Sequence, residues 1–153
     1  PFAQRPGGMT AADRLDRIES RAAIAELVHA YARAVRHGRV DEAASLFVED
    51  GWFETREGPA GGETTLRMRV EGREHFRVFL ASTMQSGRPS VSPLIHNLIV
   101  EFDGDDSARG NAMLETVMVA TGKRTLGEYH DVFHRVDGRW LFAGRTFTIQ
   151  LSV

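Results

Sequence analysis

The last two predicted strands carry a phenol, a carboxylate and a guanidinium that could form one site. Tyr129 and Asp131 lie two residues apart in LGEYHDVFHRV, and Arg145 lies in RWLFAGRTFTIQL beyond the Asp137-Gly138 turn. Side chains two apart on a strand share a face. In such a site a phenol donates a proton, a carboxylate accepts one, and a guanidinium stabilises negative charge. A structural Arg–Asp pair that satisfies itself within the sheet is the alternative.

The length of the turn decides which residue lies opposite Arg145. A two-residue loop at Asp137-Gly138 sets position 130 against position 145. A three-residue turn from Val136 to Gly138, with Gly138 left-handed, sets Tyr129 against Arg145 instead. In the second register one face holds Tyr129, Asp131, Phe133, Leu141, Arg145, Phe147 and Ile149.

Histidine is the other side chain that could move a proton near neutral pH. The chain has six, and His96 in LIHNLIV is the candidate base. His130 and His134 share a predicted strand face but have no evident third ligand, so we expect neither a metal site nor a cofactor. The absence of cysteine excludes thiolate nucleophiles, disulfides and cysteine-based zinc sites.

Helices precede strands along the chain. An apolar stripe at helical spacing runs from Ile18 to Val35, with Thr10 as the N-cap, Gly38 as a left-handed stop and Ser20 as a point where the helix can divide. A hairpin with the tip EGPAGGE follows, then a helix over Arg73 to Met84, then four long strands joined by tight turns. This order predicts an α+β fold with helices packed on one face of a curved sheet.

Composition predicts one domain over residues 9–153, preceded by a tail over residues 1–8. The chain has 153 residues, 42% of them hydrophobic, and a formal charge of −2. With a sequence pI near 6.3 and no basic run, no nucleic-acid surface is expected. No apolar run approaches the roughly 20 residues of a membrane span, and no secretory signal is recognisable. We therefore expect a cytoplasmic protein with neither nucleic acid nor membrane as a partner.

Three passages resemble the SnoaL-like branch of the NTF2-like superfamily. They are SRAAIAELVHAYARAV with HGRVDEAASLFVEDGWF, then HNLIVEFDGDDSARG, then GEYHDVFHRVDGRWLFAGR. The resemblance implies a cone, in which a curved, mostly antiparallel sheet wraps around N-terminal helices and encloses a deep apolar pocket. It also implies a homodimer or higher homo-oligomer, often paired through the outer face of the sheet. Members include polyketide cyclases, dehydratases, dehydrochlorinases and proteins that only bind ligands, so the fold leaves the function open.

The dehydratases of this family use an Asp that orients a proton-accepting His. Counting along the chain puts the Asp position at Arg36, the His position at Pro93 and a second His position at Met118, so the dyad is missing. Arg36 could be a solvent-facing residue at a helix C-terminus, a buried partner of an acid such as Asp131, or an anion clamp in the pocket. His96 alternates with position 93 and reaches the pocket only if a bulge or a late start of the strand changes the phase.

The resemblance favours the three-residue turn, because the equivalents of Tyr129 and Arg145 line the family's pocket. It also puts an aromatic pocket residue at Tyr31. The candidates for catalysis are Tyr31, His96, Tyr129, Asp131 and Arg145. The candidates for substrate binding are Val35, Arg36, Phe53, Thr55, Thr116, Met118 and Phe147.

Three functions fit these residues. The first is a cofactor-free cyclase, isomerase or dehydratase acting on a hydrophobic, oxygenated ring compound of polyketide or terpenoid type. The second is a protein that binds a hydrophobic ligand without catalysis, and the third is an accessory subunit that pairs through its sheet. A pocket group with a pKa between about 5 and 8 favours catalysis, whereas a pocket whose only charges are arginines favours binding.

Overall fold

A computed structural model describes residues 8–84 and 91–152. Apart from Gly8, the predicted tail lies outside the described residues, and so do residues 85–90 of the polar segment that follows the third helix. The elements are α1 (Ala11–Arg36), α2 (Val40–Ser45), β1 (Phe47–Glu57), β2 (Thr65–Glu71), α3 (Arg73–Thr83), β3 (Val91–Phe102), β4 (Ser107–Met118), β5 (Arg124–Val136) and β6 (Arg139–Ser152).

Helix α1 begins at a capping box and is followed by a left-handed glycine. The Thr10 hydroxyl accepts a hydrogen bond from the Asp13 amide at 3.1 Å, and the Asp13 carboxylate accepts one from the Thr10 amide at 2.8 Å. Gly38 has a φ of 66°, as its predicted role as a stop requires. Ser20 is buried within the helix, so no division occurs there. Neither α1 nor any other helix in the described residues is both long and apolar enough to cross a bilayer.

The six strands form one mixed sheet in the order β2-β1-β6-β5-β4-β3. Strands β3 to β6 make the predicted antiparallel meander, and β1 joins it by pairing parallel to β6. The inner face packs against the apolar stripe of α1, where Ile24, Val28 and Tyr31 meet Phe47 and Phe142 in the core. The predicted α+β arrangement is confirmed, and the sheet is open, with β2 and β3 at its edges.

The β5–β6 hairpin differs from the predicted three-residue turn. Val136 pairs with Arg139, so Asp137 and Gly138 form a two-residue loop, and both have positive φ, 50° and 77°. A bulge then shifts the register between Val132 and Phe133. As a result position 130 does not oppose position 145, and neither does Tyr129.

The bulge opposite Phe133 places Asp131 directly across from Arg145. Phe133 opposes Phe142, whereas Leu141 opposes the exposed His134. The expected face is therefore correct for Tyr129, Asp131 and Arg145 but wrong for Leu141. A one-residue bulge reverses the alternation of side chains, and it compensates here for the shorter turn.

Strand β3 also contains a bulge, which fixes the direction of His96. The register against β4 shifts between His96 and Ile99, and Asn97 has a φ of 49°. The shift comes after His96, so it does not change the alternation of side chains between Pro93 and His96. His96 therefore lies on the face of the sheet opposite to Pro93, and it is exposed. Beyond the bulge, Val100 is buried.

Candidate functional site

A cavity of about 190 Å³ lies between the inner face of the sheet, the C-terminal part of α1 and the end of α3, and it is termed the inner cavity here. Most of its lining side chains are apolar and several are aromatic. It is lined by Tyr31, Val35, Phe53, Thr55, Phe79, Thr83, Met84, Val91, Pro93, Thr116, Tyr129 and Phe147.

Helical and strand periodicity bring these side chains together. Tyr31 and Val35 lie four residues apart on α1, so they share one face of the helix. On the sheet, Thr55, Phe147 and Tyr129 form a row across β1, β6 and β5, because each is the register partner of the next. The inner cavity thus has a helical wall and a sheet wall.

Seven of the predicted site residues line the inner cavity, and five do not. Those in the lining are Tyr31, Val35, Phe53, Thr55, Thr116, Tyr129 and Phe147. Those outside it are Arg36, His96, Met118, Asp131 and Arg145. The roles of all twelve in catalysis or binding stay predictions.

Five further residues line the inner cavity and were not predicted from the sequence, namely Phe79, Thr83, Met84, Val91 and Pro93. Phe79 and Thr83 lie four apart on α3, so helical spacing could have paired them. Pro93 occupies the position to which the family resemblance assigns a histidine. In this chain that position faces the inner cavity but carries no group that titrates.

Asp131 and Arg145 form a buried ion pair next to the inner cavity. Arg145 Nε and Nη2 each donate a hydrogen bond of 2.8 Å to a different carboxylate oxygen of Asp131. Both side chains are fully buried. Burial lowers the pKa of Arg145, but the Asp131 carboxylate outweighs this effect and holds that pKa above its usual value. The bidentate geometry is the structural Arg–Asp pair that the sequence left open.

Three aromatic rings surround the Arg145 guanidinium. Its Cζ lies 3.7 Å from the ring centroid of Tyr129, 4.2 Å from that of Phe142 and 4.4 Å from that of Tyr31. These are cation–π distances. Because Tyr31 and Tyr129 line the inner cavity and Arg145 does not, the two tyrosines contact both the cavity and the cation.

Burial keeps both phenols protonated. Desolvation raises the pKa of Tyr129 to about 12, although the Arg145 guanidinium opposes the rise. Desolvation raises the pKa of Tyr31 further. Burial likewise raises the pKa of Asp131, and Arg145 again acts in the opposite direction. Near neutral pH the phenols can therefore donate hydrogen bonds but cannot act as bases.

Arg36 and Met118 lie at the rim of the fold. Arg36 is exposed, and its Nη1 donates a hydrogen bond to the Ser92 hydroxyl at the start of β3. Of the three interpretations of Arg36, the solvent-facing residue near the helix C-terminus agrees best with this position, since Asp131 is held by Arg145. Met118 is 36% exposed at the end of β4.

No histidine is positioned as a base for the inner cavity. All six histidines of the chain are exposed, including His96. Across residues 8–84 and 91–152, no group of three or more histidine, aspartate or glutamate side chains is arranged to hold a metal ion.

A larger depression, of about 390 Å³, lies on the outer face of the sheet. Its lining includes Glu101, Arg109 and His130, all exposed. His130 Nε2 lies 3.1 Å from a carboxylate oxygen of Glu128, so this polar group has a partner at the surface. We place the candidate site in the inner cavity, because buried apolar walls with a few polar groups are typical of small-molecule sites.

Comparison with known proteins agrees with this architecture. A family model described as a SnoaL-like domain matches residues 16–146. A provisionally assigned scytalone dehydratase from Novosphingobium aromaticivorans DSM 12444 has a TM-score of 0.74 at 21% identity, covering 90% of this chain and 89% of that chain. The hexachlorocyclohexane dehydrochlorinase LinA-type3 from Novosphingobium barchaimii LL02 has a TM-score of 0.69 at 22% identity, covering 92% of both chains.

A third similar structure is the beta subunit of a provisionally assigned aromatic-ring-hydroxylating dioxygenase from Novosphingobium aromaticivorans DSM 12444. Its TM-score is 0.74 at 16% identity, covering 88% of this chain and 92% of that chain. No curated protein matches the sequence. At these identities the structures establish the fold alone, and the predicted NTF2-like α+β cone is confirmed.

Proposed function

The chain belongs to the SnoaL-like domain family, and we propose that it binds a small, largely apolar molecule in the inner cavity without converting it. The composition of the cavity wall carries this proposal. Its polar side chains are three threonines and two tyrosines, with no carboxylate, imidazole or ammonium group in the described lining. Residues 1–7, 85–90 and 153, which the structure does not describe, include no histidine, aspartate or glutamate.

The catalytic alternative, a cyclase, isomerase or dehydratase, needs a group that accepts a proton near neutral pH. Asp131 is the nearest candidate, but both of its oxygens accept hydrogen bonds from Arg145 and it lies outside the lining. Tyr129, with a pKa near 12, holds its proton too tightly to serve. These features support binding over base-driven chemistry.

The cavity volume limits the size of the ligand. An apolar cavity of about 150 Å³ accommodates benzene, whereas the pockets that bind drug-sized molecules have volumes of about 300–1,000 Å³. At about 190 Å³ the inner cavity suits one ring with a short substituent. The proposed ligand therefore lies at the small end of the hydrophobic, oxygenated ring compounds of polyketide or terpenoid type that the sequence analysis named.

Blocking the cavity tests this proposal. Thr116→Phe adds a ring that fills the inner cavity from its sheet wall. Met113→Phe is the control, because it adds the same ring to the same strand at a side chain that is 53% exposed. With α-methylstyrene as the probe, saturation-transfer NMR and titration calorimetry should detect binding to the wild type and to Met113→Phe. Thr116→Phe should bind at least about tenfold more weakly, because the ring occupies the site.

Thermal unfolding should show that both variants are folded. If Thr116→Phe does not fold, Thr55→Phe fills the inner cavity from β1 instead. Failure of the wild type to bind α-methylstyrene would contradict the proposal. So would equal affinities of the wild type and a folded, blocked variant, because the probe would then bind elsewhere.

A further inference from the structure

We infer that the ligand of the inner cavity is a neutral one-ring compound whose carbonyl or hydroxyl oxygen accepts a hydrogen bond from the Tyr129 hydroxyl. The inference rests on the proposed binding function and adds the chemical class of the ligand and its orientation. Three observations carry it: a cavity-lining hydroxyl without a hydrogen-bond partner in the described residues, an aromatic wall and a neutralised charge pair.

The Tyr129 hydroxyl is available to a molecule in the cavity. Tyr129 is only 4% exposed, lines the inner cavity, and makes no side-chain hydrogen bond within the described residues. Its oxygen is not among the fully buried unpartnered atoms, so it keeps access to the cavity, where a ligand or a water completes its hydrogen bonding. Because burial raises the pKa of Tyr129 to about 12, the hydroxyl keeps its proton and offers it to an oxygen acceptor.

Thr116 provides a second polar group of the same kind. It is 8% exposed, lines the cavity, and its hydroxyl has no hydrogen-bond partner in the described part of the chain. Thr83 differs, because its hydroxyl donates to the Leu80 carbonyl at 3.1 Å. The Thr55 hydroxyl likewise has no hydrogen-bond partner in the described residues, so several hydroxyls of the wall are available to the oxygen atoms of a ligand.

Aromatic side chains form the apolar part of the wall. Phe53 and Phe79 have ring centroids 6.1 Å apart, and Tyr129 and Phe147 have centroids 5.5 Å apart. Rings at such distances favour offset and edge-to-face contacts, which a further aromatic ring can extend. A one-ring ligand therefore satisfies both the volume and the chemistry of the wall.

The charges near the cavity favour a neutral ligand. Asp131 and Arg145 are both fully buried and neutralise each other through two hydrogen bonds. Arg145 Nη1 has no hydrogen-bond partner in the described residues, but Arg145 contributes nothing to the cavity lining. A carboxylate entering the cavity would lose its hydration without gaining a free cation.

Three ligands with equal numbers of non-hydrogen atoms test the inference: acetophenone, its carbon isostere α-methylstyrene, and benzoate. The wild type should bind acetophenone about 2- to 10-fold more tightly than α-methylstyrene, the range of one net hydrogen bond. Benzoate should bind more weakly than either. Tyr129→Phe should remove the preference for acetophenone over α-methylstyrene, as measured by titration calorimetry with both ligands.

The possible results distinguish a failure of the hydrogen bond to Tyr129 from a failure of the proposed binding function. If the wild type binds α-methylstyrene but shows no preference for acetophenone, or if folded Tyr129→Phe keeps the preference, the inference fails and cavity binding stands. If α-methylstyrene does not bind, the proposed function itself fails. Tightest binding of benzoate would overturn the neutral ligand class and indicate direct contact with Arg145.

A measurement on the wild type makes the test independent of whether the variant folds. Infrared spectroscopy of bound acetophenone should show a carbonyl stretch at lower frequency than in an apolar solvent, because a phenol donates to the carbonyl oxygen. A stretch at the apolar-solvent position would overturn the hydrogen bond to Tyr129.

Discussion

Tyr129 lies between a buried cation and the inner cavity and contacts both. Its ring covers the Arg145 guanidinium at 3.7 Å, which helps to stabilise a buried charge that Asp131 neutralises. Its hydroxyl belongs to a residue that lines the inner cavity. Tyr31 covers the same cation at 4.4 Å. The chain has two tyrosines in all, so both of its phenols are buried at this site.

The raised phenol pKa values predict a loss of stability at alkaline pH. In the unfolded chain both tyrosines ionise near pH 10, whereas folded Tyr129 ionises near 12 and Tyr31 higher still. Their contribution to stability is complete below about pH 10. It is lost as the pH rises towards the folded values, at about 1.4 kcal/mol per pH unit for each phenol.

Urea unfolding at about pH 9 and about pH 11, followed by near-ultraviolet tyrosinate absorbance, measures this loss. Tyr129→Phe should lose roughly half as much stability between the two pH values as the wild type does, because one of the two raised phenols is gone. Tyrosinate absorbance from the folded wild type at about pH 10 would show that the phenols are not buried as described.

At the residue scale, the sequence predicted which groups share a face but not which of them reach the cavity. Alternation along β5 put Tyr129 and Asp131 on one face, whereas placing Arg145 opposite Asp131 also required the turn and the bulge. Whether a side chain on that face ends in a cavity or in the core depends on how closely α1 packs over it. That distance comes from tertiary packing, and no local pattern encodes it.

The β5–β6 hairpin shows how two local features set the geometry of the site. The Asp137-Gly138 loop fixes the pairing of Val136 with Arg139, and the bulge next to Val132 and Phe133 brings Asp131 opposite Arg145. Without the bulge, the two-residue loop would set position 130 against position 145. The ion pair beside the cavity therefore depends on the turn and the bulge together.

Gly138 is predicted to contribute to the stability of the fold through its backbone conformation alone. It has a φ of 77°, and a Cβ there would meet nothing within 4 Å. Gly138→Ala should cost about 1–2 kcal/mol of unfolding free energy, because the left-handed conformation is unfavourable for residues with a Cβ. Gly104→Ala is the matched control, since it also meets nothing within 4 Å but lacks a positive φ.

Urea denaturation of the two variants measures the difference. Gly104→Ala should unfold at nearly the wild-type urea concentration and Gly138→Ala at a lower one. Equal midpoints for both variants would mean that the two-residue loop does not impose the left-handed conformation.

At the element scale, periodicity predicted the helices and the meander, but not the bulges or the parallel β1–β6 pair. Thr10, Gly38 and the stripe from Ile24 to Val35 carry strong local signals for α1. A bulge is one extra residue in a ladder, and in β3 it involves Asn97 within an uninterrupted strand pattern. The β1–β6 pairing joins segments far apart in the chain, so no local signal specifies it.

At the scale of the whole molecule, the sheet has an inner face that forms one wall of the inner cavity. Its outer face is covered only in part by other side chains. Over β1 and β6, Trp52 lies against Gly144, and Arg69 stacks on Trp52 at 4.5 Å. Over β3 and β4, Ile99 is 60% and Met113 53% exposed. Homo-oligomer formation through this outer face stays a prediction, and so does a cytoplasmic location.

As proposed, the inner cavity binds a neutral ring compound through side chains that do not titrate near neutral pH. The affinity for acetophenone should therefore be measured by calorimetry from about pH 5 to about pH 9. We predict a dissociation constant that stays constant across this range, since the ionisable residues in the described lining are Tyr31 and Tyr129 and both have raised pKa values. A severalfold change in affinity with a midpoint inside the range, or no binding at any pH, would contradict this mode of binding.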